Sequence, residues 1–484
     1  MKKSKKQKKI LFVSSEVYPF AKSGGLADVS LGLPKALLPM FDISIMMPMY
    51  SSIDKDRFDI VHTGISFEIL LGKKKHLVEL FSTSYEGIKC YFIDTRILCA
   101  KKSLYGTPEK GYKDNDLRFG LFSKAVIAFI KQSVEPYDLL HLNDWQSALC
   151  ALFLKEDSSI KTKCVYTIHN LAYQGVFEKK ALSRLGLSSS YFNMESLEFY
   201  GDMNFMKAGI AYADVITTVS PNYAKEILTP EFGCGLEGFL AKHQNKTVGI
   251  LNGIDISNFS PKTDTALENN YDSKSYDKKY KNKQSYLKER DIKNTQRPLF
   301  IFIGRFTWQK GIDLLVKELD KISTMKLNIA ILGNGEKKYS KQIKSISSKH
   351  KNINFYFGYD EELSRRMYAS ADFMLMPSLF EPCGLNQLIA MNYGTIPIVN
   401  SVGGLKDSVN SIDDFDSKNM SGFGICFEKK KPKALIKAIK KALELYKDKE
   451  RLNKINLHNM ECDFSWDRGA KAYATIYNSL VEKR

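Results

Sequence analysis

Short apolar runs rich in β-branched residues alternate along this chain with longer stretches whose apolar positions recur at helical spacing. In the first half, residues 10–14, 43–47, 88–94, 138–141, 163–167, 214–218 and 247–251 read as strands. Residues 25–38, 117–132, 145–155, 203–213 and 220–228 read as helices. In the second half, strands are expected over 299–303, 327–332, 353–357, 373–376, 396–399 and 424–427. Helices are expected over 311–323, 336–349, 361–370, 385–393 and 432–447. Such alternation predicts an α/β fold of parallel sheets covered on both faces. The series runs twice. Between the two lies 262–290, polar and poor in apolar periodicity, so a domain boundary is expected near 255–262. Two doubly wound domains face to face would enclose a deep cleft, and ligands of such sheets sit beyond the carboxyl ends of the strands. The chemistry is therefore sought just after strands.

At 484 residues the chain has room for two or three domains. No apolar run approaches the ~20 residues of a membrane span. The segment Met1 to Lys9 is strongly basic, and the apolar stretch after it meets Glu16 too soon for a signal-peptide core, so a cytoplasmic protein without membrane association is expected. The eight cysteines are scattered and form no Cys-x-x-Cys pair, which argues against a structural zinc site or a disulfide scaffold. The formal charge of +18 raises the question of nucleic acid. Lysines spread along the whole chain, with no arginine stripe, zinc-finger or ribonucleoprotein motif, fit solvated faces better. A basic surface still attracts an anionic small substrate. There is no Gly-x-x-x-x-Gly-Lys-Ser/Thr loop, no Gly-x-Ser-x-Gly elbow and no His-Glu-x-x-His pair. Neither a metal nor a cofactor is expected.

Seven segments stand after strands. Ala21-Lys22-Ser23-Gly24-Gly25-Leu26-Ala27-Asp28 is a glycine turn into a helix, with a lysine at its mouth. Paired glycines let the backbone approach a ligand and turn N–H groups outward, and the helix start favours phosphate. Asp144, in His141-Leu142-Asn143-Asp144, is either a helix cap or a site residue. His169-Asn170 after 163–167 is either a loop pair bonded to backbone or a sugar contact, the His169 carbonyl facing developing positive charge. Asn252-Gly253-Ile254-Asp255 is a turn at the boundary. Arg305 and Lys310 leave a strand end together and Gly311 opens a helix, either as surface cations or as a diphosphate site. Glu381-Pro382-Cys383-Gly384-Leu385 presents a carboxylate suited to vicinal hydroxyls beside the N–H groups of Gly384 and Leu385, and Gly403-Gly404 is a second double-glycine turn that is either phosphate-binding or simple turn chemistry.

In this order the motifs resemble bacterial glycogen synthases and plant starch synthases. The family's Lys-Thr/Ser-Gly-Gly-Leu-Ala-Asp-Val is matched by Lys22 to Val29, and its Thr-Ile/Val-His-Asn-Leu-Ala-Tyr-Gln-Gly by Thr167 to Gly175. Lys207-Ala208-Gly209, Thr218-Val219-Ser220-Pro221, Gly249 to Asp255, Gln309-Lys310-Gly311, Glu381 to Leu385 and Phe464-Ser465-Trp466-Asp467 continue the match over nearly the whole chain. The resemblance implies the GT-B architecture and retaining transfer of glucose from ADP-glucose, with UDP-glucose as the alternative donor, to an α-1,4-glucan. Its implied layout is a basic tail at 1–9, an acceptor-side domain at 10–258, a nucleotide-sugar domain at 259–460, and a terminal helix, 461–484, returning to the first domain. Carried over by position, Glu381, Lys310, Arg305, Asp144 and His169 are the catalytic set. Lys22, Gly25, Asp28, Asn252, Tyr359, Cys383, Gly384, Leu385, Gly403 and Gly404 join Arg305 and Lys310 on the donor. Tyr105 and Asn170 stand on the sugar side. Ser23 and Asn386 replace the family's commoner Thr, and Ile389 stands where related retaining transferases often carry a second Glu. The competing readings are a sucrose- or trehalose-type synthase and a non-catalytic glucan- or nucleic-acid-binding protein.

Overall fold

The computed structural model describes residues 7–107, 110–428 and 430–482, so most of the expected basic tail lies outside the described residues. The chain forms two compact units. The first contains the residues up to Asn252 and again those from Trp466 onward, and the second runs from Gly253 to Ser465. These divisions lie a few residues from the expected 258/259 and 460/461. The cause is local: the Ile254 N–H donates to the Phe464 carbonyl at 2.9 Å, which ties both connecting segments into the second unit.

The strands of the first unit are β1 (Lys9–Val13), β2 (Asp42–Pro48), β3 (Val61–Leu71), β4 (Lys74–Tyr85), β5 (Ile88–Asp94), β6 (Leu139–Asn143), β7 (Lys163–Ile168), β8 (Val176–Phe177), β9 (Glu198–Phe199), β10 (Asp202–Asn204), β11 (Val215–Thr218) and β12 (Thr247–Gly249). Nine of them form one sheet in the order β12-β11-β7-β6-β1-β2-β5-β4-β3, and β8, β10 and β9 form a small separate sheet. The large sheet is parallel from β12 to β5, and β4 runs antiparallel to both of its neighbours. The sequence pattern gives no sign of the β3–β4 hairpin. Its outer positions mix charge with exposed Val61, Ile65, Leu70 and Leu77, which blurs the two-residue period. Strand order reverses between β1 and β6. The turn ending at Gly24 follows β1, and the helix Asp144–Glu156 follows β6 directly.

The terminal helix Asp467–Glu482 packs on the helix Gly25–Leu37. The Trp466 indole lies over Gly32, where an added Cβ would sit 2.3 Å from its Nε1. The Tyr477 hydroxyl reaches His141 Nδ1, and His141 Nε2 lies 2.6 Å from Thr167 Oγ1, so the helix is bonded through to the sheet. Gly32→Ala is expected to destabilise the protein by about 1–3 kcal/mol through overpacking. A urea midpoint equal to that of the parent would show instead that Trp466 swings aside without penalty.

The second unit has β13 (Leu299–Ile303), β14 (Asn328–Gly333), β15 (Ile353–Phe357), β16 (Phe373–Met376), β17 (Ile396–Asn400), β18 (Asn410–Ser411) and β19 (Phe423–Phe427), in the order β15-β14-β13-β16-β17-β19-β18, all parallel. Alternate residues serve opposite faces: Phe300, Phe302, Ile329 and Ile331 join one core, and Leu299, Ile301, Ala330 and Leu332 the other. Here the order reverses between β13 and β16. The polar stretch 262–290, expected as a boundary, contains the helix Lys278–Glu289. Its buried face carries Lys279, Asn282 and Lys283 beside Tyr286 and Leu287, so two lysines stand among its inward residues. Lys279 Nζ donates to the Tyr368 and Tyr393 carbonyls and to Thr395 Oγ1, each at 2.9 Å, and Lys283 pairs with Asp372 at 2.6 Å.

Candidate active site

The expected residues fall largely into two sets, each at the strand-order reversal of its own sheet, where doubly wound folds bind ligands. In the first unit the organising group is Glu16, which is 4% exposed and absent from the sequence candidates. A lone carboxylate at the end of an apolar strand is the signal that singles it out. Its oxygens accept the N–H groups of Ser23 and Gly24, the Ser23 hydroxyl at 2.7 Å and the Tyr105 hydroxyl at 2.6 Å. The Gly24 N–H, expected to face a ligand, therefore turns inward with that of Ser23, because a buried carboxylate needs donors. Gly25 is the first residue of the helix, and Lys22 Nζ sits 2.8 Å from Asp28 Oδ1.

Tyr105 is held from below. Asn115 Nδ2 donates to its carbonyl at 2.8 Å, and the fully buried Arg118 donates to the Leu104 carbonyl and to Asn115 Oδ1. Burial and the neighbouring Glu16 push the Tyr105 pKa well above the usual phenol value, so it stays a donor.

Asp144 has φ +54° and opens its helix without capping it. Left-handed backbone is uncommon outside glycine but tolerated by Asp. Its Oδ1 reaches the neighbouring strand exit instead and accepts the N–H groups of His169 at 2.8 Å and Asn170 at 3.4 Å. Burial pushes its carboxyl up to about 7 against the lowering effect of those two N–H groups. His169 Nε2 lies 2.8 Å from Asn143 Oδ1. Asn143 Nδ2 donates to the Val13 carbonyl at 2.9 Å, which orients the amide so that Nε2 carries the His169 proton. Burial pulls the imidazole down to about 3, so it is neutral throughout the physiological range. The Asn170 Oδ1 accepts the Ala172 N–H at 3.0 Å, a local turn bond.

In the second unit β13 leads through exposed Arg305 to Lys310 and then to Gly311, whose φ is +63°. An added Cβ at Gly311 would sit 1.9 Å from the Pro377 carbonyl, so only glycine fits where the loops after β13 and β16 touch. Lys310 Nζ contacts both Glu381 oxygens, at 2.9 and 2.6 Å, and Ser378 Oγ donates to Glu381 Oε2 at 2.9 Å. The cation expected on the diphosphate and the carboxylate expected on the sugar are thus already bonded to each other. Cys383 is buried beside them and Gly384 has φ +74°. Leu385 precedes the helix Asn386–Asn392, and Asn386 Nδ2 donates to the Ile303 carbonyl at 2.9 Å.

The second double-glycine turn does not present the expected phosphate cradle. The Gly404 N–H donates to the carbonyls of Glu381 and Pro382, both at 3.1 Å. Gly403, at φ +48°, packs on the Glu381 carbonyl, where an added Cβ would lie 1.9 Å away. The turn is the floor under the Glu381 loop. Asn252 and Tyr359 lie away from the reversals, after β12 and β15. Asn252 is buried with an unpartnered Oδ1, and Tyr359 is exposed with its hydroxyl 3.2 Å from Glu361 Oε2. Among the described residues, no three His, Cys, Asp or Glu side chains are grouped to hold a metal ion, and no helix is long and apolar enough to cross a membrane.

A family model of the starch synthase catalytic domain matches residues 9–242, and one of group 1 glycosyl transferases matches 284–457. Glycogen synthases of Aquifex aeolicus and Geotalea daltonii are 42% and 39% identical to this chain, each over 98% of it and 99% of the relative. The catalytic domain of starch synthase IV from Arabidopsis thaliana, solved bound to ADP and acarbose, superposes with a TM-score of 0.91 at 30% identity, covering 99% of this chain and 100% of that one. The strand orders, the two reversals and these full-length matches agree on two Rossmann-like domains of GT-B type, and the chain belongs to the glycogen and starch synthase family of glycosyltransferases.

Proposed function

We propose that the protein moves glucose from ADP-glucose to the non-reducing 4-hydroxyl of an α-1,4-glucan, with retained anomeric configuration, and releases ADP. The observation that carries this reading is the Lys310–Glu381–Ser378 group at the β13/β16 reversal, with Arg305 on the same loop. An ammonium has three N–H donors, and Glu381 engages two of those on Lys310. The third is directed to the diphosphate. The remaining lone pairs of Glu381 accept vicinal sugar hydroxyls. One ion pair then fixes the glucose and its leaving group relative to each other before any bond breaks.

Breaking the anomeric C–O bond leaves its electron pair on the diphosphate and positive charge on the sugar. Arg305 and Lys310 stabilise the first charge, and Lys22, whose ammonium pairs with Asp28, is taken as a further donor-binding cation. The His169 carbonyl is assigned to the sugar cation. The acceptor supplies its own hydroxyl as nucleophile and gives up its proton to the departing diphosphate as the new C–O bond forms. Asp144 and Asn170 belong to the acceptor side, with Tyr105 close to the transferred sugar, while Tyr359 and Asn252 serve the nucleotide end.

ADP rather than UDP is favoured because the starch synthase that superposes on the full chain was solved with ADP. The test is release of nucleoside diphosphate from ADP-glucose and UDP-glucose, each with and without glycogen. Glycogen-dependent ADP release at least tenfold above UDP release is expected. A rate from both donors that ignores glycogen would overturn the proposal, as would a disaccharide product in place of a lengthened glucan.

A further inference from the structure

The small sheet of the first unit carries a residue that no element of the proposed reaction uses. β9 and β10 pair Phe199 with Asp202, so Tyr200 and Gly201 are the whole of a two-residue hairpin loop. Both have positive φ, +52° and +89°. Such a loop suits Asn-Gly or Asp-Gly, and a bulky aromatic at its first position is strained. Tyr200 is also 82% exposed, so solvation does not explain its presence either. A residue kept at a strained backbone position while open to water is a candidate for a functional contact.

The surroundings hold this ring rather than leave it loose. Phe199 meets it edge-on with centroids 4.7 Å apart. Gly235 lies against both rings, since a Cβ there would fall 3.1 Å from Phe199 and 3.3 Å from Tyr200. The buried Lys207 ammonium donates to the Glu198 carbonyl at the hairpin base.

The hairpin is also built onto the segment that carries His169 and Asn170. β8 continues that segment and pairs with β10. Gln174 bridges the two, accepting from Asn204 Nδ2 at 2.7 Å and donating to the Cys234 carbonyl at 3.0 Å.

We propose that Tyr200 is a stacking platform for a glucose ring of the α-glucan acceptor, at a subsite beyond the ring that receives the new unit. The flat aromatic face matches the apolar C–H face of a pyranose and its hydroxyl end stays in water. This rests on the reading that the His169–Asn170 segment faces the acceptor.

The test compares Tyr200→Asn with Tyr200→Trp in the full-length enzyme. Asn fits the turn better, so this variant is expected to melt at a higher temperature than the parent. Its KM for glycogen is expected to rise at least fivefold, with a smaller effect for maltotriose than for long maltooligosaccharides. Tyr200→Trp is expected to keep glycogen affinity. Affinity electrophoresis through glycogen-containing gels reads the contact without turnover, and there Tyr200→Asn is expected to run less retarded than the parent. Unchanged retardation and unchanged glycogen KM in Tyr200→Asn would overturn this inference and leave the transferase reading intact. A parent enzyme retarded by glycogen yet silent with both nucleotide sugars would sink the transferase reading and leave the platform standing. Self-association of the parent that Tyr200→Asn abolishes, with normal glycogen retardation, would assign the ring to a second copy of this chain and overturn the glucan role.

Discussion

Lys310→Ala is expected to lower glucan elongation by about 10²–10³-fold, the loss typical of removing one preorganised donor from a developing anion. It is also expected to cost stability. Glu381 would keep Ser378 Oγ but lose its counter-ion, and stranding a buried carboxylate destabilises by about 3 kcal/mol at the low end of the range. The low end applies because a quarter of the Lys310 side chain still meets solvent. Arg305→Ala separates the two effects. Arg305 is exposed, so its loss is expected to reduce turnover to a similar degree with little change in the urea midpoint. A double variant, Lys310→Ala with Glu381→Gln, is expected to regain stability without regaining activity, because no buried charge is then left uncompensated. Near-normal turnover in both single variants would remove these cations from the mechanism.

Asp144→Asn should stabilise the protein at pH 8 while weakening catalysis. The carboxyl titrates at about 7 in the folded protein, against ~3.9 for an unperturbed Asp. Between those values the folded state binds a proton that the unfolded state has lost. The contribution to stability is thus fully present below about pH 4 and is lost as pH rises through about 7. Above that, the ionised buried group is unfavourable by up to about 4 kcal/mol relative to the acid limit. Asn removes the charge, tolerates the left-handed backbone and keeps an oxygen for the His169 N–H. The melting-temperature gain should therefore grow from pH 5 to pH 8 and shrink toward zero near pH 4. A gain that does not vary with pH would mean that the carboxyl is already ionised across the range. Activity at pH 8 is expected to fall at least tenfold, since the proposal places this carboxylate beside the sugar.

Much of the scaffold is legible in the chain because parallel strands buried on both faces read as unbroken apolar runs. Leu299–Ile303 and Phe373–Met376 announce themselves in this way. The β3–β4 hairpin does not, because its outer face mixes Glu68, Lys75 and Glu79 with Leu70 and Leu77 at a sheet edge. The helix Lys278–Glu289 escapes hydrophobic periodicity for a different reason. Only Tyr286 and Leu287 among its inward residues join the apolar core, and Lys279 and Lys283 are buried through bonds to partners roughly 90 positions away or more. The site divides along the same line. Loop positions after strands can be read from spacing, so Lys22, Asp144, His169, Arg305, Lys310 and Glu381 stand out. What each side chain touches cannot. Glu16 meets Tyr105 across 89 positions and Lys310 meets Glu381 across 71, and no local pattern encodes either meeting. The glycines mislead in an instructive way, since Gly403 and Gly404 owe their small size to the carbonyls of Glu381, Pro382 and Cys383.

The split composition of the first unit has a consequence for how the protein is made. The groove over Gly32 and the His141 ring that faces Tyr477 are completed only by residues from Trp466 onward. A ribosome adding ~5–20 residues per second needs about 10–40 s to translate the roughly 210 residues between Asn252 and Trp466. During that interval the nascent first unit waits with an apolar seam uncovered, while the contiguous second unit emerges whole. Chaperone occupancy should follow that seam, and a circular permutant opening at Trp466 would close it at the start of synthesis.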